Sequence, residues 1–231
     1  MFLYQEESGF LFNSDSHFLY EFISKFKPKG NLLDIGCGCG IIGLLIKRDF
    51  KINLTGIDPQ KHNIFLSQKN AEINSLEAEF LDGDFLEYNF DKKFNFIVSN
   101  PPYYHDGVSK SQNDSLSISR YNSNLPLTSF IKKANQIIAP KGDLIFCYDA
   151  KQIQQIMRVL SEFKFVVEDI QTVHGTDKKP SSLVLIHAKK SSKSLTKIHP
   201  PLVHFKDDIM SQECEDIYQK TRTYSIKCKL I

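Results

Sequence analysis

With 231 residues, 41% of them hydrophobic and 24% charged, the chain can bury an ordinary globular core, and one domain with small additions at its ends is expected. These proportions exclude a disordered chain, which would be poorer in Ile, Leu, Val and Phe, and no apolar run approaches the roughly 20 residues that cross a bilayer. Cys37, Cys39, Cys147, Cys214 and Cys228 form no C-x-x-C pair and no disulfide framework, and the acid-bearing start MFLYQEESGF does not read as a secretory signal, so reduced thiols, no bound metal, no membrane and a cytoplasmic location are expected. The formal net charge of +2 is unevenly spread: residues 1–150 carry 15 Lys/Arg against 18 Asp/Glu (−3), and residues 151–231 carry 14 against 9 (+5). From Lys178 to Lys206 there are seven lysines and no acid, which fits either a polyanionic partner or a solvated lysine-rich surface.

In chain order, NLLDI (31–35) reads as a buried strand that closes on Gly36, followed by a helix from Gly40 to about Asp49. INLTGID (52–58) is a second strand, 60–73 a helix with apolar spacing at Ile64, Phe65 and Ile73, EAEFL (77–81) a short strand and FNFIVS (94–99) a strong one. Residues 104–124, rich in Ser, Asn and Asp, show no periodicity and form a 21-residue loop of the kind that covers a site or orders on binding. A helix over 125–139 stopped by Pro140, a strand at 143–149, a helix at 151–163 and strands at 163–173 and 181–188 complete the pattern. Alternation of this kind predicts a parallel, doubly wound sheet. The last two strands have no helix between them and should pair antiparallel at one edge.

The first strand runs into D-I-G-C-G-C-G, with Asp34, Gly36, Gly38 and Gly40 spaced so that backbone can approach a ligand between a strand and a helix N-terminus. Taken alone, the turn also fits a ligand-free strand-to-helix connection. Asp58, about 20 residues on, ends the second strand where a carboxylate can accept from ribose hydroxyls. Asp84 follows the third strand in D-G-D-F, where it can accept from an adenine amino group while Phe85 packs on the ring. Either acid alone is equally an ordinary helix or turn cap. Together with the glycines they predict an adenosine-type site.

Asn100-Pro101-Pro102-Tyr103 follows the fourth strand, at the carboxyl edge where a doubly wound sheet binds its ligand. Two prolines stiffen the backbone and remove two N–H donors, leaving the Asn100 side-chain oxygen and the Pro101 carbonyl as acceptors, with the Tyr103 ring free to stack on a planar group. A conjugated amine needs such a corner. Its lone pair is delocalised, and two acceptors on its two hydrogens favour a pyramidal nitrogen that can attack a sulfonium methyl in line. The plain alternative is a rigid turn.

In these motifs and their order, roughly residues 30–190 resemble the class I S-adenosylmethionine-dependent methyltransferases of the N-P-P-Y group. More closely, the chain is similar to the bacterial tRNA1(Val) adenine-N6-methyltransferase family, through GFLFNSDSHFL before the first strand, SRYN at 119–122, SSLVLIHAKK in the last strand and ECEDIY near the C-terminus. The resemblance implies an α/β fold with a seven-stranded, mostly parallel sheet and the final hairpin strand inserted antiparallel. It implies a cap at 1–30, a core at 31–190 and a basic extension at 191–231. It implies that Asp34, Gly36, Gly38, Gly40, Asp58, Asp84 and Phe85 hold S-adenosyl-L-methionine, that Asn100, Pro101, Pro102 and Tyr103 carry the chemistry, and that Phe12 and Asp15 lie near the methionine end of the cofactor. RNA, most closely tRNA, is the implied partner; if so, Lys178, Lys179, Lys189, Lys190, Lys193 and Lys197 are expected to meet its phosphates, and Arg120 with the 104–124 loop to close over the base.

Three other functions compete. A protein-glutamine methyltransferase acting on release factors faces the same electronic problem, but such enzymes carry a sizeable helical domain ahead of the core, where only 30 residues precede the first strand here. A DNA adenine-N6 methyltransferase needs a recognition domain and must extrude a stacked base, whereas an unpaired loop adenine needs less extrusion. A nicotinamide-dependent oxidoreductase explains the glycines and Asp58 but gives N-P-P-Y no role.

Overall fold

The computed structural model describes residues 1–7, 11–101 and 125–229. Five strands form the parallel centre: β2 (Gly30–Ile35), β3 (Ile52–Asp58), β4 (Ala78–Asp82), β5 (Phe94–Ser99) and β6 (Ile138–Asp149). β2 pairs with both β3 and β5, so the chain winds outward through β3 and β4, then returns to wind the other way through β5 and β6. That reversal leaves a crevice at the carboxyl ends of β2, β3 and β5, where open α/β sheets bind ligands.

The central strands are near-continuous apolar runs because both faces are covered. On one face Leu32, Val98 and Ile145 pack with α1 (Ser14–Ser24) and α2 (Ile41–Asp49). On the other, Leu33, Ile97 and Leu144 pack with α4 (Leu127–Ile137) and α5 (Ile153–Glu162). Helix α3 (Lys61–Ile73) links β3 to β4.

β7 (Phe165–Thr176) and β8 (Leu183–Lys190) form the expected antiparallel hairpin, and β8 is inserted between β7 and β6, antiparallel to both. The expectation of a pair at the sheet's edge is corrected. Residues after Ser191 add β9 (Lys197–Ile198) and β10 (Leu202–Lys206) parallel to β7, and β11 (Ile209–Met210) beyond β10. Helix α6 (Gln212–Thr221), N-capped by Ser211, then leads to β12 (Tyr224–Cys228), which pairs in parallel with β1 (Phe2–Glu6). Element boundaries also differ from the sequence reading, most of all around Pro140. α4 stops at Ile137 and β6 begins at Ile138, running through Pro140. Regular pairing with β5 resumes only at Asp143, so 143–149 was the part whose periodicity could be read. Residues 1–30 hold β1 and α1.

Candidate active site

The turn after β2 is built by its glycines. Gly36, Gly38 and Gly40 have φ of 65°, 55° and 86°, a region that a β-carbon strains. The Gly36 and Cys37 N–H groups donate to the Ile57 carbonyl at 2.9 and 3.1 Å, tying the turn to β3. A β-carbon at Gly36 or Gly38 would meet no protein atom within 4 Å, whereas at Gly40 it would meet Leu44 at 3.0 Å. The first two glycines therefore border open space and the third is packed at the start of α2.

That space is a cavity of about 300 Å³, at the small end of the range for ligand pockets. Gly36, Gly38, Asp58, Asp84, Phe85 and Asn100, all expected from the sequence, line it together. So do Phe12, just before the N-cap of α1, Ser16 in its first turn, Ile57, Gln60 and Asn63 around the end of β3, and Leu125. Gln60, Asn63 and Leu125 carry no motif signal and could not have been picked from sequence, and Ser16 stands inside GFLFNSDSHFL without being singled out there. Asp34 and Gly40 are not in the lining. Asp34 is 1% exposed, and its Oδ2 accepts the Gly43 N–H at 2.9 Å. It holds the first turn of α2 against β2 beneath the glycine turn. Burial, opposed by the Gly43 N–H and reinforced by the Asp58 charge, raises its pKa to about 7.

Asp58 reaches the cavity with most of its acceptor capacity engaged. Its Oδ2 accepts from Gly38 N–H at 3.0 Å, and its Oδ1 accepts from Gln60 N–H at 2.9 Å and the Asn63 side-chain amide at 3.0 Å. A carboxylate has about four acceptor positions, so about one remains for a hydroxyl, fewer than the two-hydroxyl contact expected. Burial raises its pKa against the pull of these three donors. Asp84 sits exposed at the rim, its Oδ1 accepting from Leu86 N–H at 2.8 Å, and Phe85 is 4% exposed with its ring toward Phe90 and Phe130. The lining thus offers open glycine backbone, two carboxylates and apolar walls, a donor set that fits an adenosine bearing a cationic sulfonium.

Asn100 and Pro101 lie at the end of β5, and Asn100 shares the cavity with the glycine turn. Pro102, Tyr103, Arg120 and the 104–124 loop lie outside the described residues. Asp15 is not in the lining; its N–H donates to Asn13 in the N-cap of α1.

The lysines do not gather on one edge. Lys178 and Lys179 occupy the β7–β8 turn, on the same edge as the cavity, and Lys178 pairs with Asp207 at 3.1 Å. Because β8 runs antiparallel, Lys189 and Lys190 lie at the opposite edge, level with Asp143 and Phe165. Both are engaged internally, Lys189 with Asp143 at 3.0 Å and Lys190 with the Asn135 carbonyl at 2.7 Å. Lys197 pairs in register with Asp169, and Lys193 precedes it.

A profile of the family described as "Methyltransferase small domain" matches residues 12–176. The chain belongs to that family. Its cofactor is S-adenosyl-L-methionine. The tRNA1(Val) (adenine(37)-N6)-methyltransferase of Vibrio vulnificus is 23% identical over 172 residues, 73% of this chain and 72% of that protein. The ribosomal RNA small subunit methyltransferase C of Pasteurella multocida is 41% identical over 81 residues, 35% of this chain and 24% of that protein. Among solved structures, a predicted O-methyltransferase from Agrobacterium tumefaciens superposes with a TM-score of 0.70 at 16% identity, covering 93% of this methyltransferase and 100% of that chain. The T. thermophilus 16S rRNA N2 G1207 methyltransferase, solved with AdoMet and guanosine, superposes with a TM-score of 0.56 at 20% identity over 78% of this methyltransferase and 44% of that chain. At these identities the structural likeness carries the fold. No described helix is long and apolar enough to cross a membrane.

Proposed function

We propose that this methyltransferase modifies the exocyclic N6 of an unpaired adenine in RNA, with an anticodon-loop adenine of tRNA as the substrate class. The observation that carries the reading is that Asn100, the first residue of N-P-P-Y, lines the same cavity as the glycine turn and Asp58. The cofactor supplies an electrophilic methyl on a sulfonium. The chain's residues do the rest. Gly36 and Gly38 expose backbone to the donor, and Asp58 and Asp84 accept from its polar groups. The Asn100 side-chain oxygen and the Pro101 carbonyl accept the two amino hydrogens, which localises the nitrogen lone pair toward the methyl. No strong base is needed, because the proton leaves after transfer. Alignment and hydrogen bonding of this kind are worth several kcal/mol.

The tRNA assignment draws support from the Vibrio relative, which matches along most of both chains. The higher-identity match, over 81 residues, to a small-subunit rRNA methyltransferase favours one second reading, a base amine of rRNA, for which guanine N2 would pose the same conjugated-amine problem. Incubation with radiolabelled S-adenosylmethionine and separate pools of unmodified tRNA, rRNA and release factors, followed by nucleoside and amino-acid analysis, decides between them. N6-methyladenosine in tRNA is expected. Label only as N2-methylguanosine in rRNA, or only on glutamine, overturns the assignment.

A further inference from the structure

We propose that Cys147 is a positioning residue for Asn100, its thiol holding the Asn100 side-chain oxygen in the orientation that meets the acceptor's amino group. The inference rests on the role given to Asn100 above and adds what sets its amide. β5 and β6 are parallel with Ser99 level with Phe146, so the next rung brings Asn100 beside Cys147. Val98 and Ile145, two residues earlier on each strand, both belong to the core on the α1 and α2 side, and Cys147 belongs there too. Asn100 and Cys147 are therefore cross-strand neighbours on one face. Asn100 lines the cavity, and Cys147 is 0% exposed and donates its S–H to Asn100 Oδ1 at 2.8 Å.

The chemistry of the pair fixes its direction. The terminal torsion of an asparagine is broad and nearly two-fold, so an unrestrained amide can present either its oxygen or its NH2 to a substrate. Only the oxygen serves an amino group that must give up hydrogen-bond donors. A thiol that stays protonated is a donor, and it selects the oxygen. Burial, with the Asp15 charge adding to it, keeps the Cys147 thiol protonated well above its ordinary range, so the donor persists at any working pH. An amide oxygen has two lone pairs, and the thiol takes one. The other is left for the acceptor. A cysteine that only filled the core would act through packing, and the identity of its donor would not matter.

The test compares Cys147→Ala and Cys147→Ser with the unaltered protein, using an unmodified tRNA1(Val) transcript and S-adenosylmethionine. The alanine variant should lower kcat about tenfold while the donor Kd and the KM for RNA stay within about twofold, as for loss of one hydrogen bond used in the transition state. The serine variant, which keeps a donor at the same place, should recover most of kcat. The Asn100 side-chain 15N–1H resonances give a readout that is independent of turnover. They should form one sharp pair in the unaltered and serine proteins and broaden or shift in the alanine protein. Unchanged kcat in Cys147→Ala, equal losses in both variants, or an unperturbed Asn100 resonance overturns the proposal. Asn100→Ala keeps the two claims apart: if it retains full turnover, the role of Asn100 itself fails. If it loses turnover while Cys147→Ala does not, only the positioning role of Cys147 fails.

Discussion

Asp34 and Asp58 stand at the ends of adjacent strands, yet their carboxylates do different work. Asp34 spends an oxygen on Gly43 and is shut away from the cavity. With its pKa raised to about 7 from an ordinary 3.8, the folded protein binds a proton there that the unfolded chain does not. The stability this gives is complete below the ordinary value and is lost as pH rises through the raised one. Asp34→Asn keeps the acceptor for Gly43 and removes the charge. It should therefore raise the melting temperature relative to the unaltered protein at pH about 8 and lose that advantage near pH 5, and it should leave the donor Kd nearly unchanged. Asn100→Ala is the complementary case. The cavity walls and the glycine turn remain, so donor binding measured by calorimetry should persist while turnover drops by about two orders of magnitude, the scale for removing one oriented acceptor or donor in a transition state. An active Asn100→Ala protein refutes its role. At this scale the sequence was informative where a motif carries chemistry: Gly36, Gly38, Asp58, Asp84, Phe85 and Asn100 reach one cavity. It was uninformative where a residue type is common and only the fold gives it a position, as for Gln60, Asn63 and Cys147. Asp34 was readable as part of a motif, but its direction, down into α2 and away from the ligand, depends on the pleat.

At the level of elements, the central strands were legible because each is locally periodic and buried on both faces. The C-terminal additions were not, because β9 and β11 are two residues each and have no period to read. A buried ionic cluster ties them in. His187 on β8 donates from Nδ1 to Asp169 on β7 at 2.9 Å and from Nε2 to Asp143 on β6 at 2.8 Å. His199, just after β9, bonds the other oxygen of Asp169 at 2.7 Å, and Lys189 bonds Asp143 at 3.0 Å. The Phe26 ring covers His187 at 4.0 Å between centroids. Glu168, Asp169 and His187 lie close enough together to hold a metal, but with both imidazole nitrogens donating to carboxylates the ring has no lone pair to offer one. Burial alone would lower the His187 pKa. The bonds and charges of Asp143 and Asp169 outweigh it, and the value is raised above the ordinary 6.5. For Asp169, burial is outweighed by bonds from His187 and His199, and its pKa is lowered below 3.8. The stabilisation from His187 is therefore complete below its ordinary value and fades as pH rises through the raised one. That from Asp169 is present above 3.8 and is lost as pH falls through its lowered value. His187→Gln should cost about 3 kcal/mol at pH about 5.5, since it leaves buried carboxylates without their cation, and the gap in melting temperature should narrow towards pH 9. A gap that is constant with pH removes the ionic role.

Across the whole molecule, the strand direction of β8 decides which cations can serve the site. Charge alone groups the lysines after Lys178 as one basic face. The fold puts Lys178 and Lys179 on the edge that holds the cavity and Lys189 and Lys190 on the far one, while Lys197, beside Asp169, lies part-way along β7 between the two. Nothing local in the sequence reports this, because it follows from insertion of one antiparallel strand between two others. Lys178 is paired with Asp207, but both side chains are well exposed, 75% and 83%, so the pair gives way readily to a phosphate. An RNA whose reacting base enters the cavity lays its neighbouring phosphates along the same edge. Replacing Lys178 and Lys179 together with alanine should weaken binding of a tRNA1(Val) transcript. The slope of log K against log salt should fall by about one for each phosphate that is no longer neutralised, measured by anisotropy between about 50 and 200 mM salt. The matched pair Lys141→Ala and Lys164→Ala, two exposed lysines just before Asp143 of β6 and Phe165 of β7, changes the net charge by the same amount on the far edge and should leave the slope in place. Equal losses from the two pairs would mean that the RNA responds to overall charge alone. Insensitivity of binding to salt in the unaltered protein would mean that these lysines do not meet a polyanion at all, because counterion release accompanies every phosphate neutralised.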